Sequence, residues 1–165
     1  ALFGNRAHLQ RCQEHKIRNV LSYLPEDYHP EAQRRLRAAY GMKTYDQAGH
    51  ALRKVRAWLA GHSEGAARSL DEGLEETLNV NKLAMPEILR RTFRSTNPIE
   101  SLLDKVHYRK NRVKRWSKPE HCVRWVASSC LLHEKGFRRI RGWKELPLLE
   151  AALSKAKLDK TESVA

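Results

Sequence analysis

Arg94-Ser95-Thr96-Asn97-Pro98-Ile99-Glu100-Ser101-Leu102 reads as the opening of a helix. Asn97 has the side chain of an N-cap, and Pro98 then falls at the first helical position, where a missing N–H costs nothing. Asn97 and Glu100 stand at capping-box spacing, so the acid is expected to bond back to the cap's backbone N–H. The same placement suits a carboxylate that binds a divalent metal beside a phosphate, because helix N-termini favour anions. Spacing does not separate the two readings. One acid alone is also fewer than two-metal phosphoryl chemistry uses.

Downstream of Glu100, the stretch Lys105 to Lys118 holds seven Lys or Arg and no acid. So many like charges repel one another unless a counter-charge is near, and Tyr108 and Trp116 add flat surfaces for stacking on bases. A solvated basic face is the plain alternative. If the stretch binds nucleic acid, most contacts go to phosphates, with strong salt dependence and weak sequence preference. Arg90, Arg91, Arg94, Arg138, Arg139 and Arg141 extend the same charge.

Apolar spacing predicts helices for most of the remaining chain. Ile17, Val20, Leu21 and Leu24 keep helical period up to Pro25. A second helix is expected from Pro30 to Tyr40, ended by Gly41, and a third from Tyr45 to Ala60 with Leu52, Val55, Trp58 and Leu59 inward. Ser63 caps a fourth that continues to about Leu78. That fourth helix carries Glu64, Asp71, Glu72, Glu75 and Glu76 against Arg68, and reads as a solvated acidic face or as one docked on basic side chains. Residues 86–94 read as a short turn of helix or an extended link. A long helix over 119–135 is expected to bury Val123, Val126, Ala127, Cys130 and Leu131, and a small one covers 147–156 before a polar, frayed tail. Residues 7–12 alternate weakly and suit one short strand.

The 165 residues allow one domain, or part of one, with a modest core. Thirty-two Lys and Arg against nineteen Asp and Glu give a formal charge of +13, which favours polyanions, DNA or RNA first. Three cysteines without a Cys-x-x-Cys pair argue against a disulfide framework and for reduced thiols in the cytoplasm. No apolar run reaches the ~20 residues of a membrane span, and no signal-peptide layout is visible. The chain begins with Ala1 rather than Met, which suggests further upstream sequence. Cys12-x-x-His15 has the look of half a zinc site, although a structural zinc takes four ligands. The alternatives are a buried cysteine beside a helix start, or a local hydrogen-bonding pair.

Four blocks in order resemble the Mutator-type insertion-sequence transposases. Gln10-Arg11-Cys12-Gln13-Glu14-His15-Lys16-Ile17-Arg18-Asn19 is similar to that family's Gln-Arg-Cys-x-x-His-Lys-x-Arg-Asn signature. Thr96-Asn97-Pro98-Ile99-Glu100 resembles its Thr-Asn-x-x-Glu motif, and Val113 to Trp116 and Gly136 to Gly142 look like its C-terminal blocks. The resemblance implies the C-terminal part of an RNase H-like α/β core with an all-helical insertion, mainly α as a fragment. It divides the chain into residues 1–24 (end of that core, with the Cys-x-x-His motif), 25–90 (insertion), 91–156 (Glu helix and C-terminal helices) and a tail over 157–165.

The family's Asp-Asp-Glu triad would place its Glu on Glu100 as catalytic residue and metal ligand, with Cys12 and His15 in an active-site motif. Lys105, Arg109, Arg112, Lys114, Arg115 and Trp116 would hold DNA. The implied chemistry is cleavage and strand transfer at element ends with two divalent ions, Mg²⁺ by expectation, in a self-associating, nucleoid-associated enzyme. Both Asp residues are expected upstream of Ala1, so this chain alone is expected to be inactive. Asp27, Asp46, Asp71 and Asp104 do not fall in matching motifs. Pro98 stands where the family often has Ala, and Leu103 to Asn111 departs from an expected Asn- and Arg-rich pattern. A non-catalytic DNA-binding or oligomerisation fragment is the alternative from another class, and a decayed remnant is a third.

Overall fold

The computed structural model describes residues 8–83 and 85–162. Among them the chain is mainly helical, with no strand, and it separates into two compact units. Residues 1–95 and 141–165 belong to the first, residues 96–140 to the second.

The first unit is built on four helices: α1 (Gln13–Leu21), α2 (His29–Tyr40), α3 (Tyr45–Ala60) and α4 (Glu64–Asp71). Their apolar stripes meet in one core of Ile17, Val20, Leu36, Leu52, Leu59 and Leu70 among others. Alanines 32, 39, 48, 66 and 67 lie in the same core and let the helices approach closely. Leu36, Leu52, Leu59 and Leu70 are wholly buried, each adding about 1.5–3 kcal/mol of apolar transfer. The expected bounds of α3 hold to the residue, and their cause is a capping box. The Thr44 hydroxyl accepts from Gln47 N–H at 3.3 Å, and the Gln47 side chain accepts from Thr44 N–H at 3.3 Å. Ser63 caps α4 as its sequence suggests, accepting from Ala66 N–H at 3.2 Å.

The fourth helix does not run on to Leu78. It stops at Asp71, and α5 (Leu74–Thr77) and α6 (Asn79–Lys82) follow as single turns. Gly73 makes the break, with φ +64°. A Cβ there would lie 2.5 Å from Glu76 Oε2 and 2.6 Å from Arg11 Cζ. The acids of this segment, exposed except for the half-buried Glu76, are also paired: Glu64 and Asp71 with Arg56, Glu72 and Glu76 with Arg11, Glu75 with Lys82.

The expected strand over 7–12 does not form in its described part, residues 8–12; Ala7 lies outside the described residues. An isolated strand needs a partner strand, and this segment meets α5 and α6 instead. Arg11 N–H donates to Glu76 O at 3.0 Å, Gln10 Nε2 to Thr77 O at 3.0 Å, and Val80 N–H to Gln10 Oε1 at 2.9 Å. Gln13 Nε2 donates to Thr77 O at 2.8 Å, and the buried Lys16 ammonium donates to Ser69 O at 2.6 Å and Glu72 O at 2.5 Å. Residues 10 to 16 thus tie down the interrupted end of α4.

Residues 86–94 resolve as helix α7 (Glu87–Phe93), whose Leu89 joins Val80 and Met85 in a small second core. Gly142, at φ +82°, packs where a Cβ would meet Ile88 Cγ2 at 2.8 Å. The last helix of this unit covers Leu146–Glu162 and is longer than expected; residues 163–165 of the expected frayed tail lie outside the described residues.

The second unit consists of α8 (Asn97–Lys110) packed on α9 (Pro119–Glu134). Its interior is thin: Val106 and Ser129 are the buried residues of these two helices. The expected inward face of α9 is therefore corrected. Val123 and Leu131 are about two-thirds exposed, Ala127 is exposed, and Val126 and Cys130 are half-buried. Apolar period shows which residues share a face, but a two-helix unit offers one neighbour, and that neighbour covers a narrower stripe.

Candidate nucleic-acid interface

Helix α8 begins one residue earlier than the capping-box reading requires. Thr96 is its N-cap, Asn97 is the first helical residue, and no side-chain cap bond is made there. Glu100 N–H donates to Thr96 O at 3.0 Å, and the Thr96 hydroxyl donates to the half-buried Glu100 carboxylate. A hydroxyl donor fixes the carboxylate's orientation. Glu100 thus sits in the first turn of α8, where the helix dipole also favours negative charge.

Beyond its first turn the same helix changes sign. Lys105 and Arg109 lie four residues apart, hence on one face, and Arg112 follows just past the helix end. All three line an open hollow of about 600 Å³ together with Asp104, Tyr108, Trp125 and His133. The Arg112 guanidinium stands 5.0 Å from the Tyr108 ring centroid and donates to the Tyr108 hydroxyl at 2.7 Å, which holds the exposed ring in place. Arg109 Nε donates to His133 Nε2 at 3.3 Å, so that nitrogen must be unprotonated. Burial, then Arg109 and Lys105, hold the His133 imidazole below its ordinary value.

Lys114 and Arg115 are exposed and do not line the hollow. Trp116 is half-buried and packs edge-to-face on Trp125, with ring centroids 6.4 Å apart. Sequence reasoning does not single out Trp125 and His133. Their signal exists only across helices: Trp125 and His133 occupy two turns of α9 that α8 approaches, and no spacing within one helix reports that.

Cys12 and His15 belong to the first unit and Glu100 to the second. Cys12 is the half-buried N-cap residue of α1, without a side-chain cap bond, and His15 is exposed in the first turn. Among the described residues, no three His, Cys, Asp or Glu side chains gather so as to hold a metal ion. The chain's own described residues therefore do not fit a complete zinc or magnesium site. Among the described residues, no helix is long and apolar enough to cross a membrane.

The family model described as "Transposase, Mutator family" matches residues 3–136. Over 155 residues the chain is 29% identical to the transposase for insertion sequence element ISRM5 of Rhizobium meliloti (strain 1021), covering 87% of the chain and 38% of that protein. It is 31% identical over 100 residues to the transposase for insertion sequence element IS6120 of Mycolicibacterium smegmatis, covering 61% of the chain and 30% of that protein. The chain thus spans well under half the length of either relative. No solved structure matches it. With the family model covering most of its length, the chain belongs to the Mutator family of transposases.

Proposed function

We propose that this chain acts within a DNA transposase of the Asp-Asp-Glu type, in which Glu100 supplies one carboxylate of the catalytic centre and the α8–α9 face holds DNA. The observation that supports this most is the order of groups along α8. A hydroxyl-oriented acid stands at the helix start, and Lys105 and Arg109 follow about 7.5 and 13.5 Å along the axis. That order lets one rigid element place a carboxylate near a scissile phosphate while its cations grip the flanking backbone.

In this reading Lys105, Arg109 and Arg112 bind phosphates at the hollow, Lys114 and Arg115 extend that grip, and Trp116 with Trp125 forms an aromatic wall. Cys12 and His15 shape the active-site motif at the start of α1. The Glu100 carboxylate would serve as one ligand of a divalent ion, Mg²⁺ by expectation. The partner carboxylates would come from two Asp residues of an RNase H-like core to which residues 1–24 and 91–156 contribute, with residues 25–90 inserted. The ion would supply charge stabilisation at the phosphate. The enzyme would cleave and join strands at insertion-element ends, self-associate, and work in the cytoplasm at the nucleoid.

The test is Glu100→Gln in a full-length transposase that carries this chain. Cleavage of element-end DNA should fall about 10²–10³-fold, the scale of losing one preorganised electrostatic group. Binding of the same DNA should stay near wild type. Unchanged cleavage would remove Glu100 from the catalytic centre. The isolated chain should show no strand transfer, and Mg²⁺-dependent nicking that disappears in its Glu100→Gln variant would overturn that part.

A second reading, a non-catalytic DNA-binding or oligomerisation piece, draws on the exposed Val123, Leu131 and Leu132 of α9, an apolar surface suited to self-association. Salt-sensitive DNA binding with no Glu100-dependent reaction in the full-length protein would favour it.

A further inference from the structure

The first unit carries a second basic surface, lined by residues that the α8–α9 face does not use. A hollow of about 300 Å³ is lined by Arg37 of α2 and by Arg90, Arg91 and Arg94 from α7 and its C-cap. One carboxylate, Glu87, shares the lining, and it is already paired with Arg91 at 2.5 Å. Arg90 is held rigidly, its Nη1 donating to Met42 O at 2.6 Å and Lys43 O at 3.0 Å, which leaves its other N–H groups to turn elsewhere.

Three further lining residues are polar and more than nine-tenths buried: Gln13, Tyr40 and Asn81. Each keeps a polar atom with no hydrogen-bond partner. Gln13 Nε2 donates to Thr77 O and Asn81 Nδ2 to Met42 O, both at 2.8 Å, so the idle atoms are the carbonyl acceptors Gln13 Oε1 and Asn81 Oδ1. The Tyr40 hydroxyl lies near Thr77, whose own hydroxyl is committed to Leu74 O at 2.6 Å. Burial pushes the Tyr40 phenol up to about 12, so it keeps its proton and can donate or accept. Buried polar atoms seldom stay unmet, and these three belong to residues that line one hollow, so a ligand there would meet them once their side chains turn toward it.

The chemistry of this lining is mixed. Guanidinium groups match phosphate oxygens, but two carbonyl acceptors would repel them. A phosphate of continuous duplex would satisfy the arginines and leave the acceptors idle, because its bases are paired and turned inward. A nucleotide freed from its partner brings both parts: a phosphate for the arginines and base-edge N–H groups for the acceptors. Every base offers at least one such N–H. We propose that this hollow holds one unpaired nucleotide of a DNA strand, its phosphate on Arg37, Arg90 and Arg94 and its base edge on Gln13, Asn81 and Tyr40. The proposal rests on the DNA-binding reading above.

The test compares two fluorescein-labelled duplexes by anisotropy at one salt concentration, using the full chain. One duplex is continuous, and the other carries a single central unpaired thymidine. The wild-type chain should bind the second about fivefold more tightly, the worth of one or two hydrogen bonds. Tyr40→Phe and Arg94→Ala should each reduce that preference while leaving the melting temperature in place. Tyr40→Phe removes only the hydroxyl and keeps the buried ring. Arg94→Ala keeps the backbone bonds Gln13 N–H to Arg94 O and Arg94 N–H to Arg90 O. Equal binding of the two duplexes would overturn the proposal, with water meeting the acceptors, and leave DNA binding standing. A preference that survives both substitutions would place the unpaired nucleotide elsewhere and overturn it too. No binding of either duplex at low salt would sink the DNA-binding reading, and this proposal with it.

Discussion

Helices α3 and α9 are both sixteen residues long, and both carry an apolar stripe at helical spacing. Helix α3 buries Ala48, Gly49, Leu52, Val55 and Leu59, because both α2 and α4 pack against it. Helix α9 buries Ser129, with α8 as its packing neighbour. The same kind of pattern therefore yields a closed core in one unit and an open, charged surface in the other. Pattern states which residues would be buried if something covered them; neighbours decide whether they are.

The comparison should break first at Leu52. Leu52→Ala empties a wholly buried site and should cost about 2–5 kcal/mol in denaturant unfolding of the first unit. A loss below ~1 kcal/mol would mean the four-helix core is looser than its burial implies. Gly73→Ala comes next. Its left-handed backbone and the neighbouring Arg11 and Glu76 should make the change cost about 1–3 kcal/mol. Disruption of the Arg11 ion pairs would show as reduced salt sensitivity of that unit's stability.

In the second unit the expected effects move from stability to binding. The double variant Lys105→Ala with Arg109→Ala should leave unfolding nearly unchanged. It should also lower the slope of log affinity for DNA against log salt by about 1.8, or ~0.9 for each phosphate no longer neutralised. An unchanged slope would take these two residues off the DNA. A smaller effect concerns pH. His133 has a folded-state pKa below 6.5, so the unfolded chain takes up its proton first as pH falls. The stability it contributes is present above about pH 6.5 and is lost as pH drops below that value. Thermal unfolding of the chain at pH 7.5 and pH 5.5 should differ less in His133→Gln than in wild type. The smallest effect is expected at Val123→Ser, within about 0.5 kcal/mol because the side chain is already in water. A cost near that of Leu52→Ala would show that α9 is covered in solution.

These contrasts also mark what sequence alone can show. The bounds of α3 are legible because Thr44, Gln47 and Gly61 act locally at its ends. The cations Lys105, Arg109 and Arg112 are legible as a charge run, and these three of the six residues expected to hold DNA share one hollow. The break at Gly73 is not legible, since a glycine within an otherwise helical run stops it only where the surroundings, here Arg11 and Glu76, occupy the place of a side chain. The start of α8 slips by one residue because Thr96 and Asn97 are both good caps. Residues 8–12 alternate like a strand, yet the groups that bind them lie about seventy positions away, beyond the reach of local pattern. His133 and Trp125 need the α8–α9 pairing before they have any meaning.

Lys16 has one more implication. Its ammonium is sealed against the carbonyls of Ser69 and Glu72, whereas Lys43, Lys105 and Lys114 stand in solvent. An acylating reagent applied to the native chain should spare it and mark those others. Its first modification would then time the moment α4 lets go, so peptide mapping at this amine serves as a clock for opening of the four-helix unit.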